Sequence, residues 1–239
     1  VVGLVGSEMC IRDRCASLQE ERVAGSRGNK MHPNPVFHTE TDARNLAYAR
    51  DRAFGILGVS VDGAAPHFAH VPFLLDEDGA HLWLHLVRSN PIARALKEPR
   101  PAKIAVSGPD SYISPDWYGV EDQVPTWNYI AVHVTGTLEM RPDNELQGIL
   151  DRQSELFEQR LLPKPPWTSA KMSDGVMARM MRAIVPCRMT VEATDGTWKL
   201  NQNKPDAVRL QAADHVEAHG IGTGLNDLAN RMRAADGQG

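Results

Sequence analysis

Three short runs carry side chains that can hold a ligand. Arg88-Ser89-Asn90-Pro91 joins a guanidinium, a hydroxyl and an amide to a proline that suits a helix's first turn. Free N–H groups at a helix start, with a guanidinium beside them, favour an anion such as phosphate. An ordinary capped helix with a solvated arginine would read the same way. The second run is Gly108–Tyr118, followed by Val124–Tyr129. Its density of Trp, Tyr, Ser and Asn combines flat rings with hydroxyl and amide groups, which suits a planar ligand. The alternative is a loop that packs its own aromatics over a barrel mouth. The third run, Trp198–Asn203, offers Lys199, Gln202 and Asn203 as donors to a phosphate or to a ring's polar edge. A polar strand end is the plainer account of it.

Other chemistries find less support. His81 and His85 share one face of a strand, but no cysteine or carboxylate stands at a familiar ligand spacing, so no metal site is expected. His133 lies on the polar face of its strand, as a surface histidine does. No GxSxG, GxGxxG or P-loop is present. The net charge of −4 argues against a broad nucleic-acid face. No apolar run approaches the ~20 residues of a membrane span. Cys10, Cys15 and Cys187 form no recognised pairing, which points to a reducing compartment, the cytoplasm.

The elements that must position these runs are mostly short strands. Thr39 or Thr41 caps a first helix. Phe54–Val61, His67–Leu75, the alternating run at Leu82–Leu86, and Ile104–Ser107 read as strands. Pro91–Leu96 reads as a short helix and Gly108–Thr126 as a structured loop. Tyr129–Met140 is a strand that buries Ile130, Val132, Val134, Leu138 and Met140. Asp143–Leu162 and Val176–Ile184 read as helices, Cys187–Ala193 as the last clear strand, and Leu225–Arg233 as a terminal helix. The pattern predicts a mainly β (α+β) fold, a barrel with peripheral helices. Residues 1–30 lack a usable period, and GSEMCIRDR resembles translated sequencing-adaptor sequence. The expected division is a non-native or disordered leader at 1–30, a barrel domain at 31–210 and a helical tail at 211–239.

Taken together, MHPNPVFH (31–38), AHVPFLL (69–75), HLVRSNP (85–91), GPDSYISPDWYG (108–119), VPTWNYIAVHVTG (124–136), RAIV (182–185) and WKLNQNK (198–204) resemble the PaiB-like family of FMN-binding negative transcriptional regulators. The pieces stand in the family's order, and YISPDWY and VPTWNY are specific. The resemblance implies an FMN-binding split β-barrel working as a homodimer, with FMN at the interface. By position, Arg88, Ser89 and Asn90 would hold the phosphate, and His70 and Pro72 would lie near the ring. Tyr112, Ser114, Trp127 and Asn128 would line the pocket, and Lys199, Gln202 and Asn203 would close it. Three positions depart from the family. The lysine usual after the WY pair is missing, Asn201 stands for serine, and Pro186 stands for glycine.

The function this implies is a transcriptional regulator or flavin sensor. DNA binding has no support in the residues themselves. A flavin-dependent oxidoreductase is the first alternative, with His70 or His133 as proton donor. A haem-binding protein is the second.

Overall fold

The computed structural model describes residues 31–61 and 63–237. The leader at 1–30, and the expectation attached to it, lie outside these residues. Apolar side chains alternate along the strands, so each strand turns one face inward. The strands are β1 (Phe54–Val59), β2 (His67–Leu75), β3 (His81–Val87), β4 (Arg100–Ile113), β5 (Thr126–Met140), β6 (Ile184–Lys199) and β7 (Gly222–Thr223). They pair antiparallel in the order β1-β2-β3-β6-β5-β4-β7, and a further β1–β4 pairing closes the first six into a barrel. Leu57, Phe73, Leu84, Ile104, Val132, Val134 and Met189 fill its interior.

The barrel is split between β2 and β3, and the sequence shows why. These strands pair only from Phe73↔Leu84 to Leu75↔Leu82. The Phe73 N–H donates to Ala53 on the β1 side at 3.0 Å. Backbone groups point to alternate sides along a strand, so residue 72 would donate toward β3. Pro72 has no N–H, and the ladder ends there. The freed Pro72 carbonyl accepts from Gln153 Nε2 at 3.2 Å, so a buried side chain stands in for the missing strand contact.

Among the described residues, six helices surround the barrel: α1 (Asp42–Arg52), α2 (Pro91–Ala95), α3 (Leu146–Gln159), α4 (Val176–Met181), α5 (Asp206–His219) and α6 (Leu225–Ala234). Thr41 caps α1 by accepting from the Arg44 N–H at 3.2 Å. A second core forms where Ile113, Tyr118, Ile130 and Trp198 at one barrel end meet Val216 of α5 and Leu228 and Met232 of α6. The domain boundary expected near residue 210 falls inside α5.

Several expected elements change. The loop expected at Gly108–Thr126 is strand as far as Ile113, re-paired with β5 after a bulge between Ser107 and Asp110. Gly108 makes that bulge possible, since a Cβ there would sit 2.2 Å from the Tyr48 hydroxyl. The last strand runs on to Lys199, because Thr194–Lys199 continue the β5 ladder past a second bulge at Gly136. Met140 is exposed. The helix expected at Asp143–Leu162 forms only over Leu146–Gln159, after a short 3-10 turn. α5 had no strong signal: its buried residues are Val208, Arg209, Ala212, Ala213 and Val216, of which two are alanine and one is charged.

Candidate functional site

The candidate residues fall at two ends of the barrel. At the first end, β3 delivers Arg88, Ser89 and Asn90 beside the start of β6. The Arg88 N–H donates to the Ala183 carbonyl at 2.8 Å. The Arg88 guanidinium donates to the Arg182 and Ile184 carbonyls, each at 3.2 Å, and pairs loosely with Asp143 at 3.4 Å. The side chain is half exposed, so part of its fork still faces outward. Ser89 is exposed. Asn90 spends its Oδ1 on the Ile92 N–H at 2.9 Å, as a cap. The helix it caps has only five residues, so the dipole behind a phosphate is small and the arginine carries most of the charge.

His70 and Pro72 belong to this end as well. They sit on the outward face of β2, the neighbour of β3. His70 is exposed and lies 6.5 Å, centroid to centroid, from the exposed Phe54 ring. Phe54, Phe68 and Val87 leave this outer surface apolar.

At the opposite end, β4 and β5 pair Tyr112 with Trp127, whose rings meet edge to face at 6.4 Å. Trp127 is 47% exposed and offers a flat wall. Ser114 caps the 3-10 turn Pro115–Tyr118. Lys199 pairs with Tyr129 across the ladder, and its ammonium donates to the Thr126 hydroxyl at 2.5 Å. Burial pushes the Lys199 ammonium below its ordinary value.

Two residues of the candidate set turn elsewhere. Asn128 is fully buried, on the strand face opposite Trp127, with its amide against the Met232 sulfur at 3.5 Å. Gln202 spends its amide on its own loop, accepting from the Leu200 N–H and donating to the Trp198 carbonyl. Asn203 is exposed. Asn201, the departure from the family's serine, adopts the left-handed conformation with φ +63° that asparagine tolerates, and it accepts from the Tyr118 hydroxyl at 3.4 Å.

One contributor carried no signal in sequence. Gln153 reaches Pro72 from 81 residues away. The arm at 31–38 lies along β6: His38 Nδ1 sits 2.7 Å from the Gly196 carbonyl, and the Phe37 ring lies 5.7 Å from the Lys199 ammonium. His133 faces outward on β5, and burial followed by the Lys103 charge lowers its pKa, which favours the neutral ring. No group of three or more metal-ligating side chains occurs among the described residues, nor any helix long and apolar enough to cross a membrane.

The donor set fits FMN in two halves. Arg88 and Ser89 suit the phosphate, while Tyr112, Trp127 and Lys199 suit a flat ring with a polar edge. Yet Arg88 is anchored at the start of β6 and Lys199 at its end. That strand has 16 residues, roughly 50 Å if straight. Curvature and a bulge shorten the span, but the two halves of one chain still face different ends of the barrel.

Comparison with known proteins agrees with this fold. The family model described as "Putative FMN-binding domain" matches residues 31–193. The protease synthase and sporulation protein PAI 2 of Bacillus subtilis (strain 168) is 26% identical over 186 residues, covering 77% of this chain and 88% of that protein. An uncharacterised protein of Aspergillus fumigatus is 24% identical over 241 residues, covering 79% of this chain and 92% of its own length. Among solved structures, the FAD and haem binding protein from Mycobacterium smegmatis shares the fold, with a TM-score of 0.50 at 17% identity, covering 78% of this chain and 82% of that one. The chain belongs to the PaiB-like family of split-barrel domains whose cofactor is FMN.

Proposed function

We propose that two copies of this chain bind FMN between them, and that the holoprotein is a flavin-responsive regulator. The observation that carries the first part is the separation of the two half-sites along β6. One copy supplies Arg88 and Ser89 for the phosphate, with His70 and Pro72 alongside. The other supplies Tyr112, Trp127 and Lys199. The apolar outer surface formed by Phe54, Phe68 and Val87 supports burial against a second copy. When bound, FMN supplies redox chemistry and a visible absorption band. Cys187 is buried and free, which supports a reducing compartment such as the cytoplasm.

The regulator reading rests on what surrounds the flavin site. His133 is held toward the neutral form, which makes it a poor proton donor near neutral pH. His70 is exposed and makes no hydrogen bond among the described residues.

The test is retention of FMN by the purified protein, read as visible absorption after removal of excess cofactor, for wild type and Arg88→Ala. A band retained by wild type and lost in the variant supports the site. A colourless wild type overturns it. Gel shifts at low salt then test the regulatory step, and absence of binding to any DNA removes it. Reduction of the bound flavin by a nicotinamide would favour the oxidoreductase. A haem titration without a Soret shift disposes of the haem reading.

A further inference from the structure

We propose that the cleft between α1, the end of β6 and α6 is a second binding site, for a small metabolite carrying a carboxylate or phosphate group. The cleft has a volume of about 410 Å³, at the small end of the range for ligand pockets. Its floor is Trp198, which is 1% exposed and fixed by an indole N–H donating to buried Asn45 at 2.8 Å. Two guanidinium groups stand on that one ring. The Arg44 carbon lies 5.0 Å from its centroid and the Arg231 carbon 5.6 Å.

Each arginine is anchored through one nitrogen only. Arg44 gives its Nε to Glu40 at 3.1 Å, and Arg231 gives its Nε to Asp227 at 2.9 Å. Neither has a hydrogen-bond partner for its terminal nitrogens among the described residues, so both forks are available. An anchored planar fork suits the paired oxygens of a carboxylate or phosphate, and stacking on an aromatic face spares the entropy of ordering it. Thr39 and Asn230 add a hydroxyl and an amide to the wall. Asp236 stands at the same cleft, and its negative charge opposes an anion. That charge disfavours large polyanions and leaves room for a single small oxyanion group.

This site is distinct from the flavin half-sites. It contains none of Arg88, Ser89, Tyr112, Trp127 or Lys199. Gln202, assigned to the flavin by resemblance, lines this cleft with its amide already committed to backbone. Trp198, Asn230 and Arg231 lie beyond the residues that the family model matches.

The test is calorimetric titration of the full chain with inorganic phosphate and, separately, with succinate. Arg44→Gln, Arg231→Gln and Asp236→Asn follow, with melting curves as a check on folding. We expect saturable binding of at least one probe, a loss of about tenfold in affinity in each arginine variant, and tighter binding in Asp236→Asn. The arm that binds identifies which oxyanion the site takes. No saturable heat with either probe at millimolar concentration overturns the proposal, as does binding that both arginine variants leave unchanged. Loss of the phosphate signal in Arg88→Ala would also overturn it, by assigning that anion to the flavin site. FMN retention measured on the same variants keeps the readings apart. Retained FMN without oxyanion binding sinks only this site, and oxyanion binding without FMN sinks only the flavin reading.

Discussion

Arg88 does two things at once: it ties down the Arg182 and Ile184 carbonyls and turns the rest of its fork outward beside Asp143. Replacing Asp143 by Asn removes a competing negative charge. FMN affinity is expected to rise severalfold in Asp143→Asn and to fall roughly tenfold to a hundredfold in Arg88→Ala, measured by fluorescence quenching. Burial pushes the Cys187 thiol up to about 12, so almost no thiolate forms at neutral pH. In a protein comprising residues 31–239, which has no other cysteine, thiol reagents are expected to leave the folded state unmodified and to react on unfolding. Two outward-facing histidines set an acid limit. Burial lowers the pKa of His85, and burial with the Lys103 charge lowers that of His133. The unfolded chain then takes up protons near the ordinary value of 6.5 while the folded chain resists. Their contribution is present above that value and is lost as pH falls through the depressed folded pKa values. Melting temperature is expected to drop between pH 7 and pH 5, and the drop should shrink in a His85→Gln, His133→Gln double variant.

At the scale of elements, the split in the barrel is a dialogue between a proline and a helix. Pro72 ends the β2–β3 ladder, and α3 closes the gap through Gln153. Gln153→Ala leaves the half-buried Pro72 carbonyl without its donor. A loss of ~1–3 kcal/mol in unfolding free energy is expected in urea, with little change in slope. The proline was plain in the sequence, but its effect depended on which side of β2 its missing N–H would have faced. The strands at Phe54, His67, Leu82 and Tyr129 were legible because half-burial imposes a period of two. The stretch Gly108–Ile113 was not, because Gly, Pro, Asp and Ser signal a turn locally. Pairing with Trp127 and its neighbours overrides that preference.

For the whole molecule, the decisive feature is that residues brought together by resemblance are held apart by the barrel. A mixture of Arg88→Ala and Trp127→Ala proteins tests the two-copy site directly. In a mixed pair, one of the two interfaces carries both intact halves, so co-refolded protein is expected to retain FMN when neither variant does alone. A monomer by light scattering at micromolar concentration, with FMN bound, would overturn the arrangement. The terminal helices belong to this scale too, since α5 and α6 close the second core over Trp198.

The sequence by itself determined the fold class, the family and its cofactor, because alternation and specific local runs such as YISPDWY survive without knowledge of neighbours. It also placed Arg88 beside a helix start and Trp127 in an aromatic-rich run. Only the tertiary structure decided which candidates share an end of the barrel. It turned Asn128 inward against Met232 and spent the amide of Gln202 on its own loop. It also stood Arg44 and Arg231 on one indole, although 187 positions separate them in the chain. The physical reason is common to all three. A side chain's type is local, but its direction and its partners are set by strand register and helix docking, which only the closed barrel fixes.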